Sequence, residues 1–307
     1  MHDGEMMASR GLDIVFSTDH ERLVDHIFRQ LNRRLDKWPD HRAFLIVPEP
    51  MKADIERGYM TKAHAEGLMM AEVLSFRRLA ARLFAESGTF TAPPLSGAGK
   101  AVLAQSILLD NNIPFRRFHR LAGKPRYASE LVSILGDFQR YDISSEDLLR
   151  VDMEHRATLD KFYDFALLKN ALEGALFERG RGDPDRTLTN LAEMLSSPSL
   201  PDRLRFLTKS HVFVLGFGGD RQFTAQELAI LRGLASHAPC MTITVSADFP
   251  GGSRGILAFQ HGRATIDTLC RLSPGIRVSQ PGEADGGSAE TAAGGDSRAA
   301  GDKQAAI

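Results

Sequence analysis

The sequence predicts an α/β fold: a parallel sheet that is discontinuous in sequence, with an all-helical subdomain inserted into it. Three observations carry this expectation. Short runs rich in Val, Ile, Leu and Phe recur at Leu12 to Phe16, Ala43 to Val47, Glu72 to Ser75, Val212 to Leu215 and Met241 to Val245. Their nearly unbroken hydrophobicity suits strands buried on both faces of a parallel sheet. Helical segments, Glu21 to Leu35 and Met51 to Ala65, separate the first three runs and give a β-α-β-α-β order. From Arg77 to about Thr208 the pattern is helical, with Leu131, Ile134, Leu135 and Phe138 marking one apolar face and Leu168, Leu172 and Leu176 another.

A domain plan follows. Residues 1–10 are an amino-terminal extension, 11–80 the first part of the sheet domain, 81–208 the inserted helical subdomain and 209–278 its second part. Residues 279–307 turn to Gly, Ala, Ser, Asp and Glu. Such a tail buries too little apolar surface to offset the entropy of ordering, and disorder is expected there.

Composition narrows the function classes. With 43% hydrophobic and 25% charged residues, the 307-residue chain as a whole is globular, which excludes general disorder. A formal net charge of -1 provides no overall field toward nucleic acid or anionic lipid, so any such binding needs a local patch. Cys240 and Cys270 are the two cysteines, too few for a disulfide framework or a zinc site, which fits a reducing cytoplasmic setting. No stretch reaches the ~18 apolar residues that span a bilayer, and Met1 to Arg10 lacks an apolar signal core. Neither membrane insertion nor export is expected.

Two helix starts are written into the chain. Thr224-Ala225-Gln226-Glu227 fits a capping box, with Phe223 and Leu228 placed as a hydrophobic staple. Thr18-Asp19-His20-Glu21 fits the same box directly after the first strand. That strand-turn-helix position is where a phosphate loop normally sits, with glycines to wrap the phosphate, a lysine, and a Ser or Thr for magnesium. Here Ser17, Thr18, Asp19, His20, Glu21 and Arg22 supply neither glycine nor lysine. Asp19 and Glu21 complement the helix dipole and would repel a phosphate. No nucleotide-binding residue is assigned to this degenerate loop.

Ser96-Gly97-Ala98-Gly99-Lys100 resembles the end of a phosphate loop, but Pro94 stands where the first glycine is needed and Ala101 follows the lysine. A helix start after a Pro-Pro turn is the expected reading. Leu215 to Asp220 brings glycines to the end of a strand, where ligands bind in open α/β sheets, but glycines alone provide no acid, base or metal ligand. Glu146 with Asp147, and Asp183 with Asp185, are expected to be capped or solvated surface. The ten histidines form no metal-spaced pair, and no nucleophile elbow is present. No catalytic or metal-ligating residue is assigned.

The strongest local patch is Phe115-Arg116-Arg117-Phe118-His119-Arg120, continuing to Lys124, Arg126 and Tyr127. Five basic side chains within eleven residues, interleaved with aromatics, can pair phosphates and stack on unpaired bases. The other reading is a solvated helix with Phe115, Phe118 and Leu121 on its buried face. As candidate DNA contacts we take Arg116, Arg117, Arg120, Lys124, Arg126 and Tyr127.

Further segments stand in a telling order: Ile46-Val47-Pro48-Glu49-Pro50, Glu72 to Ala80, and Gly99-Lys100. Tyr141 to Ser144 with Glu146-Asp147-Leu148 follow, and then Gly216-Phe217 with Phe223 to Leu228. In that order they resemble the amino-terminal region of the AddB family, the second subunits of bacterial AddAB helicase-nucleases, and the resemblance spans about Leu12 to Leu272. It implies a P-loop, superfamily 1 helicase-like domain split by a helical insertion, in a complex that resects DNA double-strand breaks for recombinational repair. It also implies DNA and an AddA-like helicase-nuclease subunit as partners. ATP, magnesium and an iron-sulfur cluster belong to the full family pattern. This sequence departs from it in three places: the degenerate loop, Leu215 where an acid tends to precede the Gly-Phe pair, and a nuclease domain with its cysteines that is missing. The resemblance together with the acidic capped helix in place of the phosphate loop leads us to expect a non-hydrolysing module acting by DNA or partner binding. Its alternatives are a fragment of an active ATP-dependent subunit and a protein-only scaffold.

Overall fold

The computed structural model describes residues 11–62, 70–89, 92–152, 155–219, 221–248, 255–272 and 276–282. The extension 1–10, residues 63–65 of the second predicted helix, Asp220, and the expected tail from residue 283 lie outside the described residues. The strands are β1 (Gly11–Ser17), β2 (Arg42–Ile46), β3 (Ala71–Leu74), β4 (Ser210–Phe217), β5 (Cys240–Ser246) and β6 (Arg277–Ser279). All pair in parallel, in the order β3-β2-β4-β5-β1-β6. Each of the five predicted runs forms a strand, with ends displaced by two residues or fewer. The sixth strand is a correction: β6 pairs Asp13 with Arg277 and includes Ser279, where the tail was expected to begin. It has only three residues, one of them exposed, and it is held partly by the Arg277–Asp13 ion pair at 3.1 Å. An apolar run could not reveal it.

Helices α1 (His20–Lys37) and α2 (Lys52–Lys62) cover one face of the sheet, and Leu23, Ile27, Phe28, Leu31, Ile55 and Tyr59 pack there on Val15, Leu45 and Phe213. The opposite face is covered by α3 (Phe76–Ser87), α8 (Thr187–Ser196), α9 (Ala225–His237) and α10 (Gln260–Leu269), whose apolar side chains meet Ile14, Phe44, Val214 and Ile243. Alternate strand residues therefore feed two cores, which is why the strands read as continuous apolar runs.

Between α3 and α8 lie α4 (Gly97–Leu108), α5 (Pro125–Arg140), α6 (Ser145–Arg150) and α7 (Arg156–Glu178). They surround a third apolar cluster that includes Leu103, Phe118, Leu131, Phe165 and Leu172. Local chemistry explains the boundary of α5 and α6. Asp142 takes a left-handed φ of 57°, the Ile143 N–H donates to the Phe138 carbonyl at 2.8 Å, and Ser144 with Asp147 forms a reciprocal capping box.

From β2 the chain crosses through α2 on one face to β3, and from the neighbouring β4 it crosses through α9 on the other face to β5. Adjacent strands whose crossovers leave to opposite faces open a crevice at their carboxyl ends. The site is built there.

Candidate nucleic-acid interface

A crevice of about 780 Å³ lies at the carboxyl ends of β2, β3 and β4, between the sheet and the helical block. Phe76 and Phe217 line it, and Phe223 packs behind them. Phe217 stacks on Phe223 with centroids 4.7 Å apart, and Phe76 meets Phe217 edge-on at 5.5 Å. Gly216 makes this arrangement: its φ of +86° accompanies a register slip between Val214 and Phe217, and a Cβ there would come within 2.7 Å of Met51 Sδ and 3.0 Å of Pro48 Cδ.

Four guanidinium groups line the walls. Arg77 and Arg78 come from the start of α3, Arg140 from the end of α5 and Arg221 from the turn after β4. Against them stand Glu49, Asp185 and Glu227. Arg78 donates to Glu49 at 2.7 Å, and Ser75, the N-cap of α3, donates a short hydrogen bond to the same carboxylate. Hydrogen bonds from Ser75 and then Arg78 hold the Glu49 carboxyl below the ordinary carboxylate range. Glu227 is turned inward by the Thr224 capping box, as the sequence predicts, while Arg221 stays 3.6 Å away and lies over the Phe217 ring. Arg77 is exposed and has no ion pair among the described residues. Sequence reasoning missed this site, although Glu49, Phe76, Arg77, Arg78, Phe217 and Glu227 all fall in the segments singled out above.

The degenerate loop is a capped helix start. Asp19, not Thr18, is the N-cap: its Oδ1 accepts the N–H groups of Glu21 at 2.9 Å and Arg22 at 3.4 Å. Asp19 N–H in turn donates to Ser17 Oγ at 3.1 Å. His20 and Glu21 are exposed in the first turn.

Lys100 sits in the first turn of α4 behind the Ser96 N-cap, so the helix start after the prolines is as expected. Its ammonium, in a residue only 2% exposed, donates to both oxygens of Asp183 at 2.7 and 2.8 Å and to Asp185 Oδ2 at 2.8 Å. Asp183 is a cap as expected, its Oδ1 accepting the Asp185 N–H at 2.9 Å, but the solvated half of that reading is corrected: both carboxylates are partners of a buried cation. Sequence could not pair them, since 83 and 85 positions separate them from the lysine.

The basic segment is an irregular turn followed by a short 3-10 helix at Phe118–Leu121, on the side of α7. Phe115 and Phe118 are buried in the helical core, so neither ring is free to stack on a base; the side chain of Leu121 lies outside the described residues. Arg116 lies over Tyr163 and pairs with Asp160 at 2.9 Å, and Arg126 pairs with Glu130 at 3.1 Å. Tyr127 is half-buried, edge-on to Phe118, and burial first and Asp164 second raise its pKa. Arg117, Arg120 and Lys124 project into solvent. Among the described residues, no group of three or more His, Cys, Asp or Glu side chains could hold a metal, and no helix is long and apolar enough to cross a membrane.

An all-parallel sheet with a carboxyl-end crevice and a helical block set between its third and fourth strands defines a P-loop-like α/β domain of the helicase type. Within that class the chain belongs to the family described as ADDB, N-terminal, whose model matches residues 24–281. Its relatives are subunits of ATP-dependent helicase/deoxyribonucleases. That of Acetivibrio thermocellus is 30% identical over 71% of this chain and 18% of that protein. The protein of the same name from Symbiobacterium thermophilum is 32% identical over 77% of this chain and 21% of its own length. That of Heliobacterium modesticaldum is 34% identical over 66% and 16%. The chain thus spans about a fifth of the length of the curated relatives it matches.

Proposed function

We propose that this chain is an AddB-like module that binds DNA and a helicase-nuclease partner in the processing of double-strand breaks, without hydrolysing ATP itself. The observation that carries the reading is the arginine-lined crevice at the strand carboxyl ends, together with a start of α1 at which Asp19 already takes the N–H groups of Glu21 and Arg22. Guanidinium groups release counterions from a phosphate backbone, so binding to single strands or broken ends should weaken steeply with salt. Arg77, Arg140 and Arg221 hold the strand in the crevice. Arg117, Arg120 and Lys124 extend the contact along the basic segment, with Arg116, Arg126 and Tyr127 at its margin.

The nucleotide implied by the family does not fit the residues present. Where a phosphate would accept from the first turn of α1, the Asp19 carboxylate accepts instead. Leu215 is fully buried and offers magnesium no oxygen, and Cys240 and Cys270 are too few for a four-cysteine cluster. Work at DNA ends goes with a cytoplasmic location, beside an AddA-like subunit. The names of the relatives support the partner reading, since each is called a subunit.

Fluorescence anisotropy with a labelled oligodeoxythymidine tests the proposal. Binding is expected to fall with salt, and alanine at Arg77, Arg140 and Arg221 should weaken it by about tenfold or more. Alanine at Arg117, Arg120 and Lys124 should flatten the salt slope. Salt-independent affinity, or saturable binding of ATP with magnesium, would overturn the corresponding half of the reading.

A further inference from the structure

The helical block α4–α7 joins the sheet unit through two chain segments that lie side by side. The Gly182 N–H donates to the Pro93 carbonyl and the Leu95 N–H donates to the Gly182 carbonyl, each at 3.0 Å, where Pro94 and Gly182 form a parallel bridge. The approach is close enough to demand glycine, since a Cβ at Gly182 would come within 2.6 Å of the Ala92 carbonyl oxygen. A rigid body hung on two adjacent extended segments has one soft rotation, about the axis of the pair, and its angle must be fixed by something else.

Lys100 stands beside that axis. Its three donated hydrogen bonds tie the first turn of α4 to Asp183 and Asp185, on the segment by which the chain leaves the block. Asp185 is also gripped from the other elements around it. Its carboxylate lies against Gly136 of α5, where a Cβ would be 3.1 Å from Oδ2, and its carbonyl accepts from Gln226 Nε2 of α9 at 2.9 Å. A neutral tie runs parallel, with Gln139 of α5 and Gln226 both donating to Thr189 Oγ1, at 3.0 and 2.8 Å. The angle has a direct consequence for the crevice. Arg140 is carried by the block, whereas Arg77, Arg78 and Arg221 are carried by the sheet unit.

We propose that Lys100 is a positioning residue: its clamp on Asp183 and Asp185 fixes the angle of the helical block and so the separation of Arg140 from the three arginines opposite. The part of this that concerns ligand rests on the reading of the crevice as a DNA site; the part that concerns geometry does not. A well-packed apolar contact could supply comparable stability, but a lysine held by three oxygens also fixes direction.

Electron-spin distance measurement on the whole chain tests the clamp without DNA. Labels at Glu146→Cys on α6 and Arg232→Cys on α9, both exposed positions, are placed in a Cys240→Ala, Cys270→Ser background. The parent should give a narrow distance distribution, and Lys100→Met a broader one shifted in its mean. Lys100→Met combined with Asp183→Asn and Asp185→Asn removes both attraction and repulsion, and it should be broadened as well. Cooperative unfolding followed by Trp38 fluorescence, reporting from the amino end of the sheet, confirms that the variants fold. A parent-like distribution in the neutral triple variant would overturn the clamp, because packing alone would then set the angle. Oligodeoxythymidine affinity is measured alongside and should weaken in both variants. If the parent binds no DNA while the distances still broaden, the crevice reading fails and the clamp stands.

Discussion

The carboxylate of Asp164, on α7, accepts the backbone N–H of Arg117 at 2.7 Å, in a residue with no solvent exposure at all. Its two oxygens also take the N–H groups of Arg116 at 2.8 Å and Phe118 at 2.9 Å. A buried carboxylate held by three consecutive amides shapes the turn that presents the basic segment. Asp164→Ala strands those amides, and the expected loss is about 2–4 kcal/mol of stability, read by urea denaturation. Asp164→Asn keeps two acceptor lone pairs and should fall between parent and alanine.

Gly216 makes a second prediction about backbone. With φ at +86° and no room for a Cβ beside Met51 and Pro48, Gly216→Ala should cost about 1–3 kcal/mol by chemical denaturation. The same change should displace Phe217 from Phe223 and weaken oligonucleotide binding more than the stability loss alone explains.

At the amino end of the sheet, His211 is 2% exposed and its Nε2 lies 3.1 Å from His41 Nδ1, with Trp38 stacked on the His41 ring and tilted against that of His211. His211 Nδ1 is buried without a partner. Burial, then Arg34 and His41, push the His211 pKa down to about 4 from 6.5. The unfolded chain therefore takes up this proton first as pH falls. The contribution is fully present above pH 6.5 and is lost progressively toward pH 4, by roughly 3 kcal/mol. His211→Phe should flatten the dependence in that window, measured by thermal melting at a series of pH values.

The first turn of α1 discriminates between two adjacent residues. Asp19→Ala removes the cap and should cost about 1 kcal/mol, whereas Thr18→Ala should change stability by less than about 0.5 kcal/mol. Equal losses in the two variants, by denaturant midpoint, would contradict the assignment of Asp19 as N-cap.

Much of the fold was legible because burial on two faces leaves a continuous apolar signature, as in Val212 to Leu215, and because caps such as Thr224 with Glu227 are local. What was not legible depends on long-range pairing. Strand β6 rests on Arg277 finding Asp13, and Lys100 on Asp183 and Asp185, and no local pattern encodes either meeting. The helix-start reading misplaced the first cap by one residue, since Thr18 and Asp19 are both competent and only geometry chooses between them. The crevice was hidden because Arg77, Arg140 and Arg221 are scattered in the chain and converge only through the switch of crossover faces. The basic segment was visible as charge, but its rings were needed for the core.

The strand order sets a timetable for synthesis. β1 leaves the ribosome first, yet its neighbours are β5 and β6, which begin roughly 230 residues or more further along. At ordinary elongation rates, about 5–20 residues per second, an apolar segment such as Leu12 to Phe16 waits on the order of 10–45 s without its partner strand. The helices α4–α7, with their own core, can form in that interval. The nascent chain therefore passes through a stage in which a finished helical block hangs from an open half-sheet, and holding chaperones would find their binding site in β1.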